Sequence, residues 1–422
     1  MVAVLFCAGA APAAGAGWGA PFRLAQPQTT DLTPARIAFS SSGEAAVAFG
    51  TQDEDNPSVS AAFVAVRSAS GQLSAPRPIP GAEQVLGLAF SGPALELLTG
   101  TAASGLTCCD SVGVVRLGGG RFGPTQTLVS KLSGAALGSL AGLPQVRLLA
   151  AVATAHGVWA AQSSPGGRFV ATRTLSASAA MPVTLAVSSP ASGQTTLAWT
   201  ASTGNFGDSG PNRIFASSGT TLTAPHGSHV ALTVGSGHQI DELGLAPAAA
   251  GATAGWIESW LDRNGAYHAQ VMLSDLRARA RPAAFPVSGR LAAGLTVVGD
   301  PGGDQLVAWK ACDPTPACTV HALLRRAGQP FGVPQRLGTI DAYQDPAAAI
   351  SPSGTALVGW IDGGHVRAAA RPLAARAFPA PRLVSSTTYA ADLALAFGSE
   401  GQALAAWTQG TFAPDLVAAM YR

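Results

Sequence analysis

A unit that recurs about every 50 residues restricts the fold of this 422-residue chain more than any other feature. Its clearest copy, Ala347 to Val384, contains four short apolar segments separated by three turns, and the second segment ends in Trp360. Short segments of this kind between Ser, Pro and Gly turns are typical of β-strands. The first two segments recur from Ala35, Leu86, Val183, Leu295 and Leu393, with weaker copies near Leu140 and Leu243. The copies therefore predict an all-β chain built of four-stranded sheets.

The two ends of the chain predict how these sheets are arranged. The last copy stops at Arg422 after its third strand, whereas Gly17 to Gln26 repeat the fourth-strand pattern with Trp18 and Pro21. A chain that begins with the piece its end lacks is arranged to close a ring, as in β-propellers. We therefore predict a β-propeller of eight four-stranded blades, in which the N-terminal strand completes the last blade. Seven blades are the alternative, because the copy at Gly138 to Ala180 matches weakly.

The fourth segment of the unit carries an apolar residue followed three positions later by Pro. Examples are Leu73 and Pro76, Leu222 and Pro225, Phe331 and Pro334, and Phe378 and Pro381. An inner strand is hydrogen-bonded to a neighbouring strand on each side, and proline has no N–H group to donate. This strand is therefore predicted to be the outer edge of its blade.

Tryptophan ends the second strand in five copies, at Trp199, Trp256, Trp309, Trp360 and Trp407. Their regular place in the repeat favours packing between adjacent blades over an exposed rim that stacks sugars. Trp260 lies outside this pattern, beside Glu258 and Asp262, and is the better candidate for an exposed contact.

Composition argues against a nucleic acid partner and against a membrane span. Lys and Arg number 25 against 23 Asp and Glu, and only 11% of the residues are charged, so the chain has no basic stripe for a nucleic acid. No uninterrupted apolar run reaches the length of about 18 residues that a membrane-spanning helix needs. We expect a monomer without a membrane span.

The first residues predict export. Residues 1–16 contain a short apolar segment followed by small residues such as Ala11 and Ala13, which is typical of a signal peptide. The mature part, residues 17–422, is then a single propeller domain that is secreted or held in the cell envelope.

Four cysteines remain after such a signal peptide, as two close pairs. Cys312 and Cys318 bracket a short Pro-containing loop, a spacing that predicts a disulfide within one hairpin. Cys108 and Cys109 are adjacent, and a vicinal disulfide, two free thiols and a shared zinc site all stay open for them. The even count in an exported chain favours disulfides for both pairs.

No catalytic motif is recognisable. Thr154 to Gly157 and Gly207 to Gly210 imitate two serine protease motifs, but they lie too close together and Pro211 follows the second directly. Both fragments fall inside the repeat, which favours turn residues. We therefore assign no catalytic residue, and the sequence favours a protein that is not an enzyme.

Two groups of residues are candidates for metal binding. His226, His229 and His238 lie close in sequence and are able to share a divalent metal if their loop folds back, although polar loop histidines are the commoner case. Asp53 and Asp55 place oxygen ligands at alternate positions, as in Ca²⁺ loops. The Gly and terminal Glu of an EF-hand are absent, which favours a solvated acidic turn, and we expect no cofactor.

The repeat unit carries two resemblances to known proteins. The turn Ser351 to Thr355, followed by Trp360, is similar to the Ser-x-Asp-x-Gly…Trp box of sialidase-type propellers, with Ser in place of Asp; this similarity concerns the repeat shape alone. The whole unit resembles secreted repeat proteins of unknown function from high-GC bacteria, with the fourth-strand motif Phe331 to Pro334. That resemblance implies a propeller and an extracellular location but no activity.

In a propeller, the loops between the second and third strands share one face with the loops between blades, and we predict a binding site on that face. The candidate residues are Asp53, Asp55, Asp208, Glu258, Trp260, Asp262, Asp313 and Asp362. The leading hypothesis is an extracellular binding or scaffolding module for a protein or glycan. The alternatives are a hydrolase or lyase acting on polysaccharide, with the acid pairs Glu258 and Asp262 or Asp313 and Asp362, and a purely structural envelope protein.

Overall fold

The chain is described by a computed structural model, with the exception of residues 1–16, 27–30, 53–59, 102–108, 133–135, 144, 155–156, 166, 171, 177–181, 189–193, 202–210, 220–228, 249–250, 277–281, 288–290, 314–317, 386 and 412–413. The described residues form 34 strands in eight antiparallel sheets, here called blades 1 to 8. None of them forms a helix long and apolar enough to cross a membrane.

The strands follow the repeat along the chain. The first half comprises β1 (Phe22–Ala25) of blade 8; β2 (Asp31–Leu32), β3 (Arg36–Phe39), β4 (Ala45–Gln52), β5 (Ser60–Arg67) and β6 (Arg77–Pro78) of blade 1; β7 (Gln84–Ser91), β8 (Ala94–Thr101), β9 (Ser111–Gly118), β10 (Arg121–Phe122) and β11 (Gln126–Ser130) of blade 2; β12 (Leu137–Leu143), β13 (Arg147–Thr154), β14 (Gly157–Gln162) and β15 (Arg173–Ser176) of blade 3; and β16 (Pro182–Ser188), β17 (Thr195–Ala201), β18 (Arg213–Gly219) and β19 (His229–Thr233) of blade 4. The second half comprises β20 (His238–Ala248), β21 (Gly251–Leu261), β22 (Tyr267–Asp275) and β23 (Ala283–Pro286) of blade 5; β24 (Leu291–Gly299), β25 (Gln305–Cys312), β26 (Cys318–Arg325) and β27 (Gln335–Ile340) of blade 6; β28 (Ala347–Ile350), β29 (Ala356–Asp362), β30 (His365–Arg371) and β31 (Arg382–Leu383) of blade 7; and β32 (Ala390–Phe397), β33 (Ala403–Gln409) and β34 (Asp415–Tyr421) of blade 8.

The blades are arranged in a ring. The innermost strands β3, β7, β12, β16, β20, β24, β28 and β32 each contact the next, and β32 contacts β3 again. The molecule is therefore an eight-bladed β-propeller, and the weak copy of the repeat forms blade 3. The strands β27 and β31, which follow the Phe-x-x-Pro segments, are the outermost strands of their blades, as the proline pattern predicts.

The N-terminal segment closes the ring. The strand β1 pairs with β34 and forms the outer edge of blade 8, and Trp18 forms an isolated bridge with Tyr421. The Gly17 N–H donates to the Arg422 carbonyl at 2.7 Å, and the Arg422 N–H donates to the Gly17 carbonyl at 3.1 Å. The predicted closure is thus confirmed, because both ends of the chain share one sheet.

The repeated tryptophans pack between blades, as predicted. Trp360 of blade 7 is fully buried against Leu306 and Val320 of blade 6. Trp407 of blade 8 is buried in the same way against Leu357 and Val366 of blade 7. Trp199, Trp256 and Trp309 repeat this contact with blades 3, 4 and 5 respectively. Each tryptophan therefore joins its own blade to the preceding one.

The turns between first and second strands are stabilised locally. The Ser351 hydroxyl accepts a hydrogen bond from the Thr355 N–H at 3.0 Å, and Ser40 and Asp300 cap their turns through the N–H groups of Glu44 and Asp304. The turn that resembles the sialidase box thus has a structural role, which is typical of Ser and Asp at turn starts.

The disulfide between Cys312 and Cys318 is present and closes the hairpin between β25 and β26, as predicted. Cys109 is fully buried and disulfide-bonded, which excludes a free thiol at this position. Cys108 lies outside the described residues, so its pairing with Cys109 stays a prediction.

Candidate binding face

Loops from two parts of the repeat meet on one face of the ring. The Asp341 carboxylate, in the connection between blades 6 and 7, accepts hydrogen bonds from the Gly363 and Gly364 N–H groups at 2.8 and 2.9 Å. Those glycines form the turn between β29 and β30, the second and third strands of blade 7. The predicted arrangement of loops is therefore present, and we call this side the loop face.

The hairpin of blade 5 extends farther on this face than the hairpin of blade 7. In blade 5, β21 continues for five residues past Trp256 to Leu261, whereas β29 ends at Asp362, two residues past Trp360. Three extra residues at the strand rise correspond to about 10 Å. Leu261, at the tip of this extension, is 65% exposed. Blade 5 thus projects an extended hairpin from the loop face.

A three-ring stack covers one side of this hairpin. His238, Trp260 and His268 are direct cross-strand neighbours on β20, β21 and β22. The ring centroids of His238 and Trp260 are 4.5 Å apart with planes 4° from parallel, and those of Trp260 and His268 are 5.4 Å apart at 16°. Both faces of the indole are covered, so Trp260 is half-buried and the accessible ring of the stack is that of the exposed His268.

Two of the predicted acids fix the ends of the stack. The buried Glu258 carboxylate contacts His238 Nδ1, and Asp262 Oδ2 lies 3.2 Å from His268 Nε2. Asp262 Oδ1 also accepts hydrogen bonds from the N–H groups of Asn264 and Ala266, both at 2.8 Å. The bond from Ala266, followed by that from His268, lowers the pKa of Asp262 below its usual value. The structure thus brings Glu258, Trp260 and Asp262 together in one rigid cluster.

The other side of the same hairpin carries a second polar pair. The Tyr267 hydroxyl donates to Asp241 Oδ2 at 3.2 Å, and Gln239 donates to Asp241 Oδ1 at 2.8 Å. Burial raises the pKa of Tyr267. Tyr267 pairs with Leu261 at the tip of the hairpin, so its bond to Asp241 links the tip to the first strand of the blade.

Two tyrosines that the sequence motifs did not indicate are prominent on the loop face. Tyr343, between blades 6 and 7, is 98% exposed, and Tyr389, between blades 7 and 8, is 64% exposed with a φ of 66°. Both loops contact the Gly363 and Gly364 turn, the second through a bond from the Ala390 N–H to the Gly364 carbonyl at 2.9 Å. The sequence feature that could have indicated them is that both tyrosines lie outside the repeated segments.

The remaining predicted acids are placed separately. Asp362, on blade 7, accepts hydrogen bonds from the Thr339 hydroxyl at 2.7 Å and from Arg367 Nε at 2.8 Å. Asp313 is exposed beside the disulfide hairpin of blade 6. The last three acids, Asp53, Asp55 and Asp208, lie outside the described residues.

The proposed metal ligands are divided between two blades. His229 lies on β19, the outermost strand of blade 4, and His238 lies on β20, the innermost strand of blade 5, where it contacts Glu258. Within the described part of the chain, no group of three His, Cys, Asp or Glu side chains is placed to bind a metal ion. His226 lies outside that part, so the three-histidine site stays a prediction.

Comparison with known proteins supports the architecture alone. No family model matches the chain, and neither does any curated protein. Among solved structures, the chain is similar to the Dos1 propeller, with 11% identity, a TM-score of 0.55, and coverage of 96% of this chain and 95% of that chain. It is also similar to a protein of unknown function from Dyadobacter fermentans, with 10% identity, a TM-score of 0.46, and coverage of 97% and 100%. An ulvan lyase, a polysaccharide lyase, matches at 9% identity and a TM-score of 0.49 over 95% and 94% of the two chains.

Proposed function

We propose that the protein is an extracellular binding module that engages a glycan through the loop face. The observation that carries this proposal is the set of exposed rings on that face: Tyr343, Tyr389 and the His268 end of the stack. Aromatic rings offer a flat apolar surface with a polar edge, which suits a ligand whose surface is partly apolar and partly hydroxylated.

The exposure of Tyr343 is not explained by packing, because 98% of its surface is accessible. Its loop is nevertheless fixed, since Asp341 accepts two backbone hydrogen bonds from the neighbouring turn. A rigid loop that presents an aromatic ring loses little conformational freedom on binding. Rigidity combined with exposure therefore favours recognition over a purely structural role.

The candidate acids support binding better than hydrolysis. Glu258 and Asp262 contact the two histidines of the stack, and Asp362 contacts Arg367 and Thr339. These carboxylates serve local structure, so we base no catalytic proposal on them.

An extracellular location fits the chemistry of the chain. The disulfide between Cys312 and Cys318 is stable in oxidising compartments, and residues 1–16 have the composition of a signal peptide. We propose that the protein is exported and acts as a monomer.

The test is binding of the recombinant protein to an array of bacterial and plant glycans, with and without Ca²⁺. We expect reproducible binding that Tyr343→Ala combined with Tyr389→Ala reduces at least tenfold, since each lost ring contact removes about 1 kcal/mol. The matched control is Val333→Ala, an exposed apolar residue between β26 and β27, away from the loop face. Absence of glycan binding by the wild type would overturn the glycan proposal and direct the search to protein partners from the same cell envelope.

A further inference from the structure

A pocket of about 560 Å³ lies at the seam where the two ends of the chain close the ring. This seam pocket is lined by the N-terminal segment, by the end of β34 and by blade 1, and its main side chains are Trp18, Phe22, Arg67, Leu73, Met420 and Arg422. Its volume is in the range of small-molecule sites. A molecule bound here would contact both ends of the chain and the neighbouring blade.

Two arginines line this pocket without a carboxylate partner. Arg67 is half-buried, and its side chain makes no salt bridge or hydrogen bond with the residues that the structure describes. Arg422, which is exposed, likewise makes no salt bridge with any described residue. Burial, followed by the nearby charge of Arg422, lowers the pKa of Arg67. The pocket therefore combines two like charges that have no carboxylate partner among the described residues.

Equivalent arginines in other blades have partners. Arg67, Arg325 and Arg371 each pair with the first residue of the second strand of their own blade. Arg325 donates to the two carboxylate oxygens of Asp275 at 2.7 and 2.8 Å, and Arg371 Nε donates to the Ala375 carbonyl at 3.0 Å. Of these three arginines, Arg67 is the one whose side chain has no acceptor among the described residues. Arg67 and Gly71 both line the seam pocket.

A bound anion would remove both unfavourable features. A half-buried guanidinium loses part of its hydration, and two guanidinium groups repel each other. A carboxylate accepts two parallel hydrogen bonds from one guanidinium and neutralises part of the charge. The Arg67 guanidinium lies over Gly71, where φ is 96° and a Cβ atom would approach Arg67 Nη2 to 2.8 Å. Glycine at this position therefore leaves the guanidinium free to reach the pocket.

We propose that the seam pocket binds an organic carboxylate that carries a ring. The carboxylate lies between the guanidinium groups of Arg67 and Arg422, and the ring packs on Trp18 and Phe22. This site is distinct from the loop face, so it does not depend on the function proposed above. Because the ligand contacts both ends of the chain, its binding stabilises the closed ring.

The experiment measures binding to the full-length protein by isothermal titration calorimetry. The ligands are sodium benzoate, a carboxylate on an aromatic ring, and sodium glucuronate, a carboxylate on a sugar ring, and sodium sulfate is the inorganic anion for comparison. We expect saturable binding of at least one ring carboxylate that is tighter than that of sulfate. Arg67→Gln and Arg422→Gln each weaken it about tenfold or more, the size of a lost charged hydrogen bond. The matched control Arg371→Gln, at the equivalent position of blade 7, leaves the dissociation constant unchanged.

Thermal unfolding of each variant provides a second readout that does not depend on the titration. Saturating ring carboxylate is expected to raise the melting temperature of the wild type and of Arg371→Gln by the same amount, and that of Arg67→Gln by clearly less. The proposal is overturned if neither ring carboxylate binds at millimolar concentration, if sulfate binds as tightly, or if Arg371→Gln weakens binding as much as Arg67→Gln.

Discussion

Aromatic residues have opposite environments in two regions of this propeller. Trp360, at the repeated position of blade 7, is fully buried against blade 6, whereas Tyr343, in the loop between the same two blades, is 98% exposed. Position in the repeat decides the difference, because the second strand faces a neighbouring blade and the loop faces solvent. Trp360 within the repeat therefore stabilises the architecture, and Tyr343 outside it is accessible for the recognition proposed above.

The largest expected effect comes from the buried member of this comparison. Trp360→Ala is expected to lower the free energy of unfolding by about 4 kcal/mol, because it leaves a cavity between two blades. Tyr343→Ala is expected to change it by less than about 0.5 kcal/mol. Urea denaturation measures both.

A third variant sharpens the comparison. Trp360 Nε1 is buried without a hydrogen-bond partner in the described part of the chain, so Trp360→Phe is expected to cost about 1 kcal/mol, much less than the alanine variant. Equal losses for Trp360→Ala and Tyr343→Ala would contradict the division into structural and recognition aromatics.

Acidic residues also differ between the buried part of a blade and the loop face. Glu96 of blade 2 is 1% exposed beside Arg116 at 3.3 Å, and burial raises its pKa to about 7, with Arg116 opposing the shift. A carboxyl whose pKa is higher in the folded state stabilises the fold most at low pH, and this stability is lost as pH rises from about 4.5 to 7. Because solvent screens the charges near Arg116, the expected loss in the free energy of unfolding is about 2 kcal/mol.

Urea midpoints at pH 5 and pH 8 test this expectation for Glu96. Glu96→Gln should abolish most of the decline in stability over that range. Asp262→Asn on the loop face provides the control, since the pKa of Asp262 is lowered and its titration lies below this range. A decline of unchanged size in Glu96→Gln would show that another group is responsible.

Two hairpins of the loop face are stabilised by different means. In blade 6 the disulfide between Cys312 and Cys318 closes a short loop, and replacing both residues by serine is expected to cost about 2 kcal/mol. In blade 5 the stack of His238, Trp260 and His268 has this role, and Trp260→Ala is expected to cost about 1 kcal/mol because the site is open to solvent. Thermal unfolding compares them. A larger loss for Trp260→Ala would place the stack in the structural class.

The last expected effect is local. Asp341→Ala removes the acceptor for the N–H groups of Gly363 and Gly364 and is expected to cost about 1 kcal/mol. Hydrogen exchange of these two amides should accelerate, with the exchange of β29 unchanged. Acceleration throughout blade 7 would show that Asp341 stabilises the whole blade rather than the loop that carries Tyr343.

The architecture was predictable from the sequence because residues that recur along the repeat determine it. The strand repeat, the terminal fourth strand at Trp18 and the repeated tryptophans each fix a contact that the structure contains. The disulfide was also predictable, since Cys312 and Cys318 are separated by one short loop.

The candidate sites followed only in part. Glu258 and Trp260 alternate along β21 and Asp262 directly follows its end, so the proximity of the three was predictable. The stacking of Trp260 between two histidines depends on the register of three strands and on a bulge between Ile240 and Glu242. The seam pocket was not predictable, because it joins Trp18, Arg67 and Arg422, which are distant in sequence.

The central claim is that recognition and stability reside in different aromatic residues. The most direct test measures glycan binding and melting temperature on the same preparations of the wild type, of Tyr343→Ala combined with Tyr389→Ala, and of Trp360→Phe. The predicted result is loss of binding at an unchanged melting temperature for the tyrosine variant, and retained binding for Trp360→Phe at a slightly lower melting temperature. Retained binding in the double tyrosine variant, with a wild-type melting temperature, would contradict the claim.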